Sequence, residues 1–219
     1  MENQHLFRVF RILRDHRDRV GSASVTEISE NHKNDPYRVL ISCLISLRTK
    51  DEVTEAASAR LFDLADTPSK MIKLPEAAIA KAIYPAGFYR TKAATILLVS
   101  RDILGRFQGK VPDEIDNLLT LKGVGRKTAN LVVTLGFGKP GICVDTHVHR
   151  IVNRWGLLSA PDPGATEASL RKVLPRRYWI PINDLLVTYG RTVCKPISPH
   201  CTQCEIREFC DQAGVSRFR

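Results

Sequence analysis

The sequence lacks a long hydrophobic run. No apolar stretch reaches 18 residues, which excludes a membrane-spanning helix, and no apolar signal segment precedes the fold. The sequence also lacks alternating strand patterns, low-complexity tracts and repeats of solenoid length. These absences exclude a membrane protein and a repeat protein. They predict an all-α protein of the cytoplasm, without a secretory or transmembrane segment.

Acidic residues are scarce relative to basic ones. The chain of 219 residues has 33 Lys and Arg but only 23 Asp and Glu, which gives a formal net charge of +10. Such a balance indicates a polyanionic partner, with nucleic acid foremost and anionic membranes or ribosomal contacts as alternatives. The hydrophobic fraction of 43% suffices for a packed core, in one large domain or two small ones.

Capping signals place several helices. Asp35 followed by Pro36 is typical of a helix start, and the apolar residues that follow predict a central helix to about Leu47. Thr49 and Glu52 are predicted to form a capping box that opens the next helix. The break at residues 139–141 is the expected domain border.

A cysteine array lies near the C-terminus. Its C-x6-C-x2-C-x5-C spacing predicts four thiolates around one metal centre, made of Cys194, Cys201, Cys204 and Cys210. Both an iron–sulfur cluster and a structural zinc accept four thiolates, and the spacing does not choose between them. Two disulfides or four unrelated buried thiols are the alternatives. Cys43 and Cys143 lie in apolar stretches and are expected to be packing residues.

Residues 121–127, with the sequence LKGVGRK, predict a helix-hairpin-helix between helices at about residues 113–121 and 126–135. Two glycines allow a sharp turn and let a phosphate approach the N–H groups of the second helix. The motif is therefore expected to hold the DNA backbone without reading its sequence. A plain architectural turn is the alternative.

Lys127 and Asp145 are candidates for chemistry. Lys127 lies in the first turn of the second hairpin helix, where the helix dipole and Arg126 both disfavour its ammonium form. It is a candidate nucleophilic amine, or else a lysine that only counters phosphates. Asp145 is placed to cap a helix, and spacing alone does not make it catalytic.

The hairpin, residues 144–150 and the cysteine array together resemble the endonuclease III family, the iron–sulfur DNA glycosylases and lyases of base excision repair. The resemblance runs over essentially the whole chain and includes residues 46–51 and 87–89. It implies a 4Fe–4S cluster on the four cysteines. It also implies a six-helix barrel at residues 29–139, a cluster domain from residues 1–28 and 140–219, and a DNA cleft between the two domains.

The resemblance assigns roles to individual residues. It implies that Lys127 and Asp145 are catalytic. His147 and Asp51 are expected to support the site. The resemblance also implies a DNA-binding set: Gly123, Val124, Gly125, Arg126, Arg48, Phe88 and Lys195. In the best-known members a glutamine at the position of Arg48 fills the gap left by the extruded base. Arg48 is expected to fill the same gap and to alter the preference for the opposing base. A phosphate contact is the alternative role of Arg48.

The expected function is therefore a bifunctional DNA glycosylase and AP lyase. It would remove damaged, oxidised pyrimidines from double-stranded DNA and cleave the strand by β-elimination through a lysine Schiff base. The expected form is a monomer associated with the nucleoid. The alternatives are a mismatch glycosylase of the same superfamily for thymine or uracil, and a non-enzymatic DNA-binding module with a structural metal.

Overall fold

The computed structural model describes residues 3–219 of the chain. Within them the regular elements are helices and no strand occurs, so the all-α prediction is confirmed. The α-helices in chain order are α1 (Asn3–Val20), α2 (Ser24–Asn31), α3 (Pro36–Ser46), α4 (Asp51–Leu64), α5 (Pro68–Met71), α6 (Glu76–Ile83), α7 (Tyr89–Phe107), α8 (Ile115–Leu119), α9 (Arg126–Leu131), α10 (Thr146–Trp155), α11 (Pro163–Val173) and α12 (Ile182–Thr192). A π-helical turn, Val132–Gly136, follows α9, and short 3-10 turns lie at Arg176–Tyr178, Cys201–Gln203 and Arg207–Phe209.

The chain divides into two compact units. Residues 24–141 form one, here called the central unit, and residues 1–23 with residues 142–219 form the other, here called the terminal unit. The family resemblance implies these borders near residues 29 and 139. In the described part of the chain, no helix combines the length and the apolar character that crossing a bilayer requires.

Helix α3 forms the middle of the central unit. The Asp35 side chain accepts a hydrogen bond from the Arg38 N–H at 2.9 Å and Pro36 occupies the first turn, so the helix begins where the sequence predicts. Every residue from Val39 to Ile45 is buried, and α3 packs against α2, α4, α7 and α9. A helix that is apolar on all faces is expected to be surrounded in this way.

The predicted capping box at Thr49 and Glu52 is wrong. Helix α4 begins at Asp51 with Lys50 in the cap position and without a side-chain cap bond. The Thr49 hydroxyl instead accepts hydrogen bonds from the Gly87 N–H at 3.1 Å and from Lys92 Nζ at 2.8 Å. A tertiary contact has therefore replaced the local cap.

The terminal unit has its own aromatic core. The Phe10 ring of α1 stacks on the Tyr178 ring at 4.0 Å between centroids, and Trp155 lies beside it at 6.4 Å. Leu6 and Leu13, which share the predicted apolar face of α1 with Phe10, are also buried in this cluster. Each such burial stabilises the fold by about 1.5–3 kcal/mol, so the N-terminal helix is an integral part of this unit.

Candidate nucleic-acid interface and metal centre

The predicted hairpin is formed by α8, a tight turn and α9. Its helices are shorter than predicted: α8 ends at Leu119, before Thr120, whose N–H and hydroxyl both donate to the Asn117 carbonyl, and α9 passes into the π-helical turn. Gly123 has a φ of 78°, which glycine adopts without steric cost. A Cβ at Gly125 would meet nothing within 4 Å. The space in front of the first turn of α9 is therefore open.

The remaining hairpin residues differ in exposure. Arg126 and Lys127 are exposed in the first turn of α9, whereas the Val124 side chain is buried and its N–H donates to the Leu121 carbonyl at 3.2 Å. Burial raises the pKa of the Cys43 thiol in α3 to about 12, and the positive charge of Lys127 acts in the opposite direction. Cys43 is thus a buried, protonated packing residue whose thiol interacts electrostatically with Lys127.

Arg48 and Phe88 occupy two neighbouring turns. Both have left-handed backbones, with φ of 54° and 56°, and both side chains are exposed. The Arg48 guanidinium lies 5.6 Å from the centre of the Phe88 ring, within the range of a cation–π contact. A non-glycine residue in this region costs about 1–3 kcal/mol, so the surrounding structure must hold both turns in place.

A largely apolar surface depression connects these turns with the hairpin. Arg48, Phe88 and Gly123 line it, together with Leu44 and Leu47. The central unit thus presents the Arg48 guanidinium, the exposed Phe88 ring and the hairpin glycine around a single depression.

Lys92 of α7 also lines this depression, and it was not identified from the sequence. Its side chain is 7% exposed, and its ammonium donates to the Ile45 carbonyl at 2.5 Å, the Leu47 carbonyl at 2.6 Å and the Thr49 hydroxyl at 2.8 Å. Burial lowers the pKa of Lys92 to about 8. The available signal was its position four residues before Ile96, on the apolar stripe of α7.

Asp145 caps α10 in the terminal unit, as predicted. Its Oδ1 accepts from the N–H groups of His147 at 2.8 Å and Val148 at 2.9 Å, and the side chain is buried. The adjacent segment 142–144 is also buried, and Cys143 in it packs as predicted. The carboxylate is therefore fixed at the start of the helix.

Residues that follow Asp145 on α10 contact the C-terminal part of the same unit. Arg150 donates to the Cys194 carbonyl at 2.7 Å and the Gly190 carbonyl at 3.3 Å, and lies 3.3 Å from His147 Nδ1. His149 pairs with Thr166 at 2.7 Å. Arg150 thus packs inside the terminal unit and binds backbone carbonyls there.

The four cysteines of the array line one pocket. Aromatic and aliphatic side chains, including Trp155 and Tyr189, form much of the remaining wall, which also contains Arg154, His200 and Gln212. Burial raises the pKa of Cys201, Cys204 and Cys210, to about 11 for Cys210, and the neighbouring cysteines add to the increase. Four thiolates that share one pocket repel one another unless a positive centre lies among them. An all-sulfur donor set of this kind fits a soft metal centre.

Polar groups surround these sulfurs. Cys204 Sγ lies 3.3 Å from the Tyr189 hydroxyl, Cys210 Sγ accepts from the Gln212 N–H at 3.4 Å, and Arg154 reaches Cys194 Sγ at 3.7 Å. Such donors stabilise the negative charge of ligated sulfur. Within residues 3–219, no three His, Cys, Asp or Glu side chains are close enough to hold a single ion.

The two other predicted residues have backbone or structural contacts. The Lys195 carbonyl accepts from Arg154 at 2.7 Å, and the Lys195 side chain is half-buried. Asp51 lies in the first turn of α4 and accepts from the Ser24 hydroxyl at 3.1 Å. DNA binding by Lys195 stays a prediction.

Comparison with known proteins identifies the class. Residues 41–176 match the model of the HhH-GPD superfamily base excision DNA repair protein. Endonuclease III of Thermotoga maritima is 46% identical over 188 residues, which cover 85% of this chain and 88% of that protein. Endonuclease III homolog 2, chloroplastic, of Arabidopsis thaliana is 42% identical over 81% of this chain, but only 48% of that protein is matched.

A solved structure has the same fold. A trapped covalent intermediate of endonuclease III and DNA, in an estranged-adenine complex, aligns with a TM-score of 0.76 and 34% identity over 81% of this chain and 84% of that one. The chain therefore belongs to the endonuclease III family of the HhH-GPD superfamily. The resemblance inferred from the sequence is confirmed, and membership in a family of DNA repair enzymes argues against a non-enzymatic binding module.

Proposed function

We propose that this DNA glycosylase and AP lyase of base excision repair acts on oxidised pyrimidines in duplex DNA, with Lys127 as its nucleophile. The observation that carries the proposal is the exposed Lys127 at the start of α9, directly after the open turn at Gly125. Phosphates held at this turn would bring the sugar of the target nucleotide to the amine. A base stacked in a duplex must first be extruded, at a cost of a few kcal/mol that is smallest for a damaged base.

The chemistry needs one amine and one carboxylate. Neutral Lys127 Nζ attacks C1′, and the electron pair of the broken glycosidic bond leaves with the base. Ring opening gives an imine between C1′ and Nζ, which acidifies the C2′ proton. Loss of that proton to water forms a C2′–C3′ double bond and breaks the C3′–O bond, so that the 3′ strand leaves with a phosphate at its 5′ end. Water then hydrolyses the imine and regenerates Lys127.

Asp145 is proposed to supply the carboxylate. A carboxylate stabilises positive charge that develops at C1′ and accepts the proton that Lys127 must lose before it attacks. The two N–H groups that donate to Oδ1 fix the position of this carboxylate at the start of α10. His147 supports Asp145 through its backbone N–H.

Arg48 and Phe88 are proposed to engage the duplex at the lesion. Arg48 would fill the gap left by the extruded base, where its guanidinium matches the acceptors of a guanine better than an amide does. Phe88 would act as a wedge between neighbouring bases. The exposed side chain of Arg126 and the hairpin backbone would hold phosphates, and Lys195 would add a contact from the terminal unit.

The four cysteines are proposed to hold a 4Fe–4S cluster. Their all-sulfur donor set, their common pocket and the N–H and O–H groups beside the sulfurs support this assignment. When bound, the cluster cross-links residues 194–210, and its binding energy contributes to folding. Iron and sulfide analysis of the purified protein, against zinc, tests the choice of metal.

The lesion class is tested by product analysis. Duplexes that carry thymine glycol, a G·T mismatch or a G·U mismatch are incubated with the protein, and free base and cleaved strand are both measured. We expect base release and β-elimination on thymine glycol, loss of both in Lys127→Gln, and full activity in the control Lys110→Gln, an exposed lysine. Release from the mismatches alone, without strand cleavage, would favour the mismatch glycosylase.

A further inference from the structure

Lys92 is a buried amine that the proposed chemistry does not use. We propose that Lys92 is a positioning residue that locks the two turns bearing Arg48 and Phe88, so that both side chains enter the duplex together. The inference rests on the proposed function and names the device by which the chain extrudes a base. Its support lies entirely within the central unit.

Lys92 contacts the C-terminal end of α3. The last carbonyls of a helix have no partner inside it, and a positive charge at this end is favourable. Lys92 supplies both needs, because its ammonium binds the Ile45 carbonyl in the last turn of α3 and the Leu47 carbonyl just beyond. Arg48 is the next residue, and its left-handed backbone depends on where these two carbonyls are held.

Lys92 is also linked to the turn that bears Phe88. The third donor of the ammonium binds the Thr49 hydroxyl, and the same hydroxyl accepts from the Gly87 N–H. Gly87 immediately precedes Phe88. A Cβ at Gly87 would collide with the Arg48 carbonyl oxygen, so the two turns touch through their backbones. Lys92 and Thr49 thus join both turns in one hydrogen-bonded group.

The donors of the Lys92 ammonium match the acceptors around it in number. An ammonium has three N–H donors, and all three have an acceptor here. A neutral side chain of the same length would leave these three oxygens without that donor, at contacts that are buried for the Ile45 carbonyl and partly buried for the Leu47 carbonyl and the Thr49 hydroxyl. We therefore expect the turns to lose their fixed relation when the amine is removed, although the hairpin and Lys127 are unchanged.

The test compares two reactions of one protein. Lys92→Met keeps the length of the stem and removes the amine, Thr49→Val removes only the link, and Lys73→Met is the control at an exposed lysine. Base release from a thymine glycol duplex requires extrusion, whereas cleavage at a preformed abasic site has no base to unstack. A 2-aminopurine opposite the lesion reports unstacking by its fluorescence.

For Lys92→Met we expect base release to fall about 10²-fold, since a displacement of about 1 Å has that effect on a positioned reaction. Cleavage at the preformed abasic site should fall much less, and the 2-aminopurine signal should diminish. Thr49→Val should show the same pattern with a smaller loss, which keeps the test valid if Lys92→Met does not fold. Lys73→Met should match the wild type.

Two results overturn the inference. One is that the wild type is active and both Lys92→Met and Thr49→Val release the base at the same rate as the wild type. The other is an equal loss of both reactions in folded, metal-loaded variants, which would make Lys92 a general structural residue. A wild type that releases no base from any duplex instead overturns the proposed function, and the inference with it.

Discussion

Asp145 has two proposed tasks that substitution can separate. It caps α10 through Oδ1, and it is proposed to act as a carboxylate at the reacting sugar. Asparagine retains a side-chain oxygen that accepts from the same N–H groups but carries no charge. Alanine has neither, so Asp145→Asn and Asp145→Ala form a matched pair.

The two tasks of Asp145 predict effects of different size on stability and on rate. Loss of an N-cap costs about 0.5–2 kcal/mol, and asparagine caps about as well as aspartate. For a chain of this size, 1 kcal/mol lowers the melting temperature by about 2–4 °C. Asp145→Ala should therefore melt a few degrees lower and Asp145→Asn close to the wild type. Both should lose about 10²–10⁴-fold in the rate of base release, the usual contribution of a general acid or base.

The assay is single-turnover base release from a thymine glycol duplex, with melting followed by circular dichroism. If Asp145→Asn keeps full activity, the carboxylate has no chemical role and Asp145 is a cap alone. If the activity of the two variants falls only in proportion to their loss of stability, the same conclusion holds. Binding of both variants to an uncleavable abasic analogue serves as the control for DNA affinity.

Further predictions follow from the other sites. Arg48→Gln should weaken the preference for guanine opposite the lesion, measured as the ratio of base-release rates over the four opposing bases; an unchanged ratio contradicts the role of Arg48. Cys201→Ala should lower the iron content and the melting temperature, whereas Cys43→Ala should retain the iron. The folded pKa of Lys92, about 8, lies below the unfolded value of about 10.4. The free-energy penalty for burying its charge is therefore full below about pH 8. It is relieved as the pH rises, by at most about 1.4 kcal/mol per pH unit. Between pH 8 and 10, the melting temperature of the wild type should therefore rise relative to that of Lys92→Met. Parallel melting curves would contradict this.

Local signals predicted much of the fold. The Asp35 cap, the apolar run of α3 and the Asp145 cap are decided by residues close in the sequence, and the structure has all three. The cysteine array is equally local, and its four members line one pocket. Such features need only short-range geometry, which periodicity and capping rules describe.

The failures share a physical cause. Thr49 has the sequence signature of a cap, but a buried amine 43 positions away competes for its hydroxyl. Lys92 itself looks like one more basic residue in a chain with many of them. Only the packing of α7 against α3 shows that it is buried and that its three donors hold two turns together. Contacts between residues distant in sequence decided both cases.

The most direct test of the account is covalent trapping on DNA. The protein is incubated with a thymine glycol duplex and borohydride, which reduces an imine to a stable amine, and the adduct is located by peptide mapping. The account predicts one adduct, on Lys127, and none in Lys127→Gln. An adduct on another residue, or base release by a metal-loaded protein without any adduct, would contradict it.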